Sequence, residues 1–271
     1  MTKFTVIGSK GFIGSNLISY FKNKNFQYQN FDDLNNIPHD KNLGHVIFSI
    51  GLTSDFRERP FDTVNSHVCE LIKILKNVQF DSFLYLSSTR VYQNSKSTEE
   101  KNDLIVNSNN KNDIYNISKI LGESVCLNSR NKNVKIIRLS NVVGNNFTSD
   151  DFLPSLIKNA VNEKKITLNS SMDSEKDYVL IDDVVEIIPK IVTKGTQTIY
   201  NVASGKNIKT KEIISKLIKI TGCTVEENDT TLIKFPKISI DSLISEFQFS
   251  PTNLVDRLEY LVTQYENYRN K

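Results

Sequence analysis

Phe4-Thr5-Val6-Ile7 is a short, β-branched apolar run, and Ile13, Leu17, Ile18 and Phe21 follow it at helical spacing. The pattern predicts a strand and then a helix. It repeats along the chain. Gln27–Phe31 reads as a strand that ends at Asp32-Asp33, and Val46–Ile50 reads as a buried strand stopped by Gly51. Val68, Leu71, Ile72 and Leu75 mark one face of a helix over about Asn65–Asn77, and Ser82–Ser87 is the next strand. Residues 93–113 are polar and rich in Asn and Lys, a long loop that would cover a site if mobile. A helix from Ile114 to about Asn128 and a strand at Val134–Leu139 follow. Strands alternating with helices at this pitch predict an α/β fold, a Rossmann-type doubly wound parallel sheet.

After Asn145 the pattern loosens. Phe152–Val161 looks helical, Lys165–Leu168 strand-like and Asp182–Val192 helical, with Pro189 expected to kink or end that helix. Ile199–Val202 is a short strand. Thr210 is expected to cap a helix through Ile220 that Gly222 closes, and Leu254, Leu258, Leu261 and Tyr265 mark a last helix over about Thr252–Tyr268. The expected division is a nucleotide-binding domain over 1–145 and a smaller, discontinuous α/β lobe over 146–271, some of whose segments return to the core.

Composition narrows the class. Of 271 residues, 38% are apolar and 24% charged, enough to build a core. Lys and Arg number 34 against 31 Asp and Glu, with no block of like charge, which argues against a nucleic-acid polymer as partner. Three scattered cysteines fit a reducing compartment. The chain enters its first strand without a signal-peptide pattern, and no apolar run approaches a membrane span. A cytoplasmic protein without a membrane partner is expected. His39, His45 and His67 have no ligand spacing, so no metal site is expected.

Gly8-x-x-Gly11-x-x-Gly14 directly follows the first strand and opens a helix. Glycines there let the backbone turn sharply, approach a pyrophosphate and pack helix against sheet, while the helix N-terminus offers free N–H groups. An ordinary tight turn is the plain alternative; the strand–turn–helix context favours a dinucleotide. Asp32, 18 residues past Gly14, ends the second strand, where a carboxylate accepts hydrogen bonds from ribose hydroxyls and repels a 2′-phosphate. That favours NAD over NADP.

Tyr115 and Lys119 stand four residues apart, on one face of a predicted helix. A tyrosine is a poor base at neutral pH, and a nearby ammonium is expected to lower its pKa. Ser88, just past a strand end, is placed to hold a substrate oxygen against Tyr115. A solvated helix face is the plain alternative, and position decides against it.

Together, Gly8-x-x-Gly11-Phe12-Ile13-Gly14, Leu86-Ser87-Ser88-Thr89-Arg90-Val91-Tyr92 and Tyr115-x-x-x-Lys119 resemble the extended short-chain dehydrogenase/reductase family, in its nucleotide-sugar epimerase/dehydratase/reductase branch. The resemblance continues in Arg138–Gly144, Lys176–Val184 and Tyr200–Gly205. It implies Ser88, Tyr115 and Lys119 as a catalytic trio acting on a nucleotide-linked sugar, with hydride moving at a sugar carbon, expected to be C4. It implies a cofactor site of Gly8, Gly11, Phe12, Ile13, Gly14, Asp32, Gly51, Tyr115, Lys119 and Val142. Thr89, Asn141 and Lys176 are the implied substrate contacts. Many relatives pair through two long helices, so a homodimer through about Asn65–Asn77 and the helix from Ile114 is expected.

The departures choose among reactions. The family's 4,6-dehydratases follow the Ser/Thr with Asp-Glu, the acid and base for water loss, where this chain has Thr89 and Arg90. Dehydration is therefore disfavoured against 4-epimerisation or reduction of a 4-keto sugar. The span from Asp32 to His45 is too short for the usual third strand and helix, which leans toward an exchangeable cofactor and hence reduction. The competing class is a dinucleotide-binding sensor or assembly protein without chemistry, which would need no phenol–lysine pair.

Overall fold

The computed structural model describes residues 2–131 and 133–270. The chain opens with strand β1 (Lys3–Ile7), helix α1 (Phe12–Asn23) and β2 (Gln27–Phe31), then β3 (His45–Phe48). Helices α2 (Pro60–Val64) and α3 (Glu70–Asn77) are joined by a π-helical turn over Asn65–Cys69. Next come β4 (Ser82–Ser88), α4 (Ile114–Leu127) and β5 (Val134–Leu139). Then follow β6 (Asn141–Val143), α5 (Phe152–Asn162), β7 (Lys165–Leu168), β8 (Glu175–Leu180), α6 (Ile181–Lys194) and β9 (Ile199–Val202). The chain finishes with β10 (Asn207–Lys209), α7 (Thr210–Thr221), β11 (Thr224–Glu227), α8 (Asp241–Phe247) and α9 (Leu254–Arg269).

These elements form two compact units. The first comprises Met1–Leu139, Val184–Val202 and Ile240–Phe249, and the second Ser140–Asp183, Ala203–Ser239 and Ser250–Lys271. The leading segment of the first unit thus stops with β5 rather than at 145, and two later segments return to it.

The first unit holds a six-stranded sheet in the order β2-β1-β3-β4-β5-β9, parallel throughout. Its central strands are covered on both faces, so β5 is buried at every residue and β4 at all but Ser88. Edge strand β2, with sequence Gln-Tyr-Gln-Asn-Phe, has no buried residue. Beneath the sheet Phe48 stacks on Phe83 and Tyr85, with ring centroids 6.1 and 6.3 Å apart.

Pro189 neither ends nor interrupts α6, which runs on to Lys194. Val184, Val185, Ile187, Ile188, Ile191 and Val192 are all buried. At roughly 1.5–3 kcal/mol for each such side chain, their burial outweighs the ~3 kcal/mol that an interior proline costs.

In the second unit, β10-β8-β6 form one sheet and β11-β7 a parallel pair. The apolar faces of α5, α7 and α9 meet in one core that includes Leu156, Ile157, Ile213, Leu217, Leu258 and Leu261. The cap of α7 is Lys209 rather than Thr210: the Lys209 N–H donates to the Glu212 carboxylate at 2.8 Å. Gly222 closes that helix in the left-handed conformation, φ 69°. Among the described residues no helix is long and apolar enough to cross a membrane.

Candidate active site

The turn between β1 and α1 is built almost wholly from backbone. Gly8 has φ 91°, and a Cβ there would stand 2.9 Å from the Ile50 side chain. A Cβ on Gly14 would stand 2.2 Å from the Gly8 carbonyl oxygen, which shows how closely α1 packs on the turn. Gly11 differs. Its φ of −68° suits any residue, and a Cβ would meet only the Gly8 oxygen at 3.5 Å. Nothing within the protein requires glycine at that position, whereas the close approach of a pyrophosphate does. The bare turn thus fits a dinucleotide.

Two side chains fasten the turn from below. Ser49 Oγ, just past β3, donates to the carbonyls of Ile7 and Gly8 at 2.9 and 3.0 Å. The exposed Asp32 carboxylate accepts from Ser9 Oγ at 2.9 and 3.0 Å and from the Lys10 N–H at 2.9 Å. Asp32 therefore stands beside the glycine turn and already helps to hold it. Phe12 and Ile13, the first residues of α1, are half-buried.

The second cluster gathers around Tyr115. Ser88 ends β4, and its side chain lies near enough to the Tyr115 phenol to lower its pKa. Ser88 Oγ also accepts from the Arg90 N–H at 3.2 Å, inside a 3-10 turn over Thr89–Tyr92 in which Thr89 is buried. Lys119 lies one helical turn beyond Tyr115 on α4, and its Nζ donates to the Leu86 carbonyl at 2.9 Å. Gly51 touches this cluster, since a Cβ there would stand 3.3 Å from Lys119 Nζ and 3.4 Å from His67 Nε2. The segment from Ser49 to Leu52 thus connects the glycine turn with the Tyr115 cluster.

The electrostatics depart from the expectation set by spacing. Burial raises the Tyr115 phenol above its ordinary pKa, while the Ser88 side chain and the Arg90 charge only partly oppose it. Burial drives Lys119 itself down to about 7, against a smaller upward pull from Glu123. A lysine so stripped of water holds its proton weakly, and Arg90 is the fixed charge beside the phenol.

His67 belongs to this cluster although its spacing carried no functional signal. It is fully buried in the π-helical turn, with its ring edge-on to Tyr115 and the centroids 5.2 Å apart. Ser118 Oγ lies 2.9 Å from the Tyr115 carbonyl oxygen and 2.8 Å from His67 Nδ1. Nε2 lies 3.2 Å from the Leu52 N–H and 3.1 Å from the Leu52 carbonyl oxygen, so the tautomer decides which of the two it bonds. Burial and the Lys119 charge hold the imidazole down to about 2, so it stays neutral. The one sequence signal was its place on the apolar face that carries Val68 and Leu71.

The 93–113 loop is tied down at both ends. Tyr92 and Arg138 join the buried Glu123 in a polar network, with Arg138 Nη2 and Glu123 Oε2 2.6 Å apart. Arg138 also donates to the Glu100 carbonyl at 3.3 Å, and Asn201 Nδ2 to the Thr98 carbonyl at 2.7 Å. At the far end the buried Asp113 accepts from the Asn107 N–H at 2.8 Å.

The remaining expected contacts lie in the second unit. Asn141 and Val142 form β6, and Asn141 Nδ2 donates to the Asp177 carbonyl at 2.7 Å. Lys176 on β8 has its ammonium 5.5 and 5.7 Å from the ring centroids of Phe152 and Phe235. Its neighbour Asp177 is buried and gathers the Ser204 N–H at 2.9 Å, the Ser204 hydroxyl at 2.8 Å and the Lys206 N–H at 3.1 Å. Two of the resemblance motifs therefore meet through one carboxylate.

The model of the NAD dependent epimerase/dehydratase family matches residues 30–203. A dTDP-D-glucose 4,6-dehydratase of Dictyostelium discoideum is 25% identical over 270 residues, covering 81% of this chain and 62% of that protein. The chain thus spans less than two thirds of that curated relative. RMD from Pseudomonas aeruginosa, solved with NADPH, has the same fold at TM-score 0.82 and 20% identity, over 99% of this chain and 100% of that one. A UDP-glucuronic acid 4-epimerase from Bacillus cereus, solved with UDP-glucuronic acid and NAD, gives TM-score 0.81 and 20% identity over 98% and 99% of the two chains.

Proposed function

The chain belongs to the NAD dependent epimerase/dehydratase family, and from that premise we propose that it is an oxidoreductase or epimerase acting at C4 of a nucleotide-linked sugar. The observation that carries this reading is the buried Tyr115 phenol with Ser88, Lys119 and Gly51 gathered around it. The relatives named above act on or bind nucleotide sugars and nicotinamide dinucleotides, which supports the same substrate and cofactor classes.

A bound nicotinamide dinucleotide supplies the hydride carrier. In this reading Gly8, Gly11 and Gly14 take its pyrophosphate, Asp32 the adenosine ribose, and Lys119 the nicotinamide ribose. The exposed Asp32 carboxylate favours NAD, because a 2′-phosphate beside it meets like charge. Ser88 orients the sugar oxygen, and Tyr115 takes or returns its proton. Thr89, Asn141 and Lys176 hold the sugar nucleotide. Neither Thr89 nor Arg90 offers a carboxyl group for water loss, which favours epimerisation or ketone reduction over dehydration. A homodimer through the face of α3 and α4 completes the reading, and monomers alone at micromolar concentration in sedimentation would count against it.

Tyr115→Phe tests the assignment. Turnover of a nucleotide 4-keto sugar with NADH is expected to fall about 10²–10⁴-fold with dinucleotide binding kept. Unchanged turnover overturns the role given to Tyr115, and dinucleotide binding without turnover in the parent enzyme points to a sensor.

A further inference from the structure

Arg90 is the cation closest in kind to a binding group that the reading above leaves unused. It sits two residues past Ser88, with its guanidinium carbon 5.0 Å from the Phe56 ring centroid and 5.9 Å from that of Tyr115. Arg57 covers the same Phe56 ring at 4.4 Å. Phe56 in turn packs on Tyr115, with centroids 5.3 Å apart. Two guanidinium groups thus share one aromatic ring beside the phenol.

Neither arginine has a carboxylate in ion-pair range among the described residues. Arg57 Nε donates to the Asn112 side-chain oxygen at 2.5 Å, and Arg90 Nη2 reaches the Asn112 carbonyl at 3.5 Å. Arg90 Nε is buried and has no partner. Of the acids nearby, Asp113 spends its oxygens on the Asn107 N–H and the Asn116 amide, and Asp55 is paired with Arg59 at 3.3 Å. Glu123 is taken by Arg138. The groups around the Tyr115 ring are therefore Arg90 and Lys119, each 5.9 Å from its centroid, and the neutral His67 at 5.2 Å, while Asp113 acts on Arg90. Burial and the Arg57 charge lower the Arg90 pKa from its ordinary value, and the Tyr115 and Asp113 charges partly oppose them.

A guanidinium offers parallel N–H donors that match a planar, two-oxygen acceptor. Resting on the nucleotide-sugar reading, we propose that Arg90, supported by Arg57, receives a carboxylate carried on the reacting sugar ring. The substrate class is then nucleotide-linked acidic sugars of the uronic acid type, in preference to neutral hexoses.

The test compares UDP- and dTDP-linked hexuronic acids with the matching neutral hexoses, using the full chain with NAD and with NADP. Wild type is expected to favour the acid in kcat/KM by about tenfold or more, the scale of one charge-assisted pair. Arg90→Gln is expected to collapse that ratio, Arg90→Lys to restore part of it, and Arg57→Gln to lower it less. Calorimetric binding of the UDP-hexuronic acid and UDP-hexose to wild type reads the same preference if a variant does not fold. Equal losses on acid and neutral sugars would place the diphosphate at Arg90 and overturn the proposal. Wild-type preference for the neutral sugar overturns it too, while leaving the nucleotide-sugar reading intact. Neither binding nor turnover of any nucleotide sugar removes both.

Discussion

The glycine turn and the Tyr115 cluster lie in one compact unit and are built on opposite principles. The turn is backbone, and its shape is enforced by contacts a single methyl group would break, such as Gly14 against the Gly8 carbonyl. Its polar supports, Ser49 and Asp32, are all engaged. The Tyr115 cluster is side chains held against their preferences. It contains a lysine near its neutral point, a phenol pushed upward and an arginine donor without a partner. Binding surfaces can be made from well-satisfied geometry, whereas acid–base chemistry needs groups whose protonation is unsettled. The stable half of such a site is where a ligand is gripped, and the costly half is where it reacts.

Gly14→Ala attacks the turn most directly. The new methyl has no room against backbone, so a loss of about 3 kcal/mol is expected together with loss of dinucleotide binding, read by denaturant unfolding and calorimetry. A variant as stable as wild type would show that the turn yields. Gly11→Ala separates binding from folding. Stability is expected to stay within about 1 kcal/mol, because φ there is ordinary, while affinity for NAD falls about tenfold or more. Retained affinity would mean that no ligand comes close at Gly11.

Lys119→Met tests the opposite character of the second cluster. Lys119 is near 7 in the fold and about 10.4 when unfolded. Across that window the unfolded chain binds more protons, so wild-type stability rises with pH, and the full cost of the buried charge is present below pH 7. Methionine removes the cost. Melting temperature is expected to rise by a few degrees at pH 6.5 and by less at pH 9.5, with activity lost. A gain that does not shrink with pH would show that packing, rather than charge, sets the effect.

Much of the first unit was legible because parallel strands buried on both faces read as apolar runs, as in Val46–Phe48 and Phe83–Leu86. The glycine turn was legible because its spacing has few other uses. The second unit was less so. Strand β8 reads Glu-Lys-Asp-Tyr-Val-Leu, and its charged half gives no strand signal although Asp177 is buried there as a polar hub. Strand β10 is three residues long. Pro189 misled because local cost was weighed without the buried face that overrides it. Spacing placed Tyr115 and Lys119 together, but the sign of their electrostatics depended on burial, which four letters of sequence do not contain. The surroundings of His67 and Arg90 lie in the rings they face, which spacing does not reveal.

Strand β2 bounds the six-stranded sheet, and the chain returns from it to β3 with only a 3-10 turn at Leu34–Asn36 between them. Among the described residues no strand pairs with its outer side. For protein engineering, this margin is the place where the architecture can grow. Residues spliced between Asp33 and His45 extend a connection whose closure cost rises only slowly with length, while the β1–β3 pairing that supports the glycine turn stays in register.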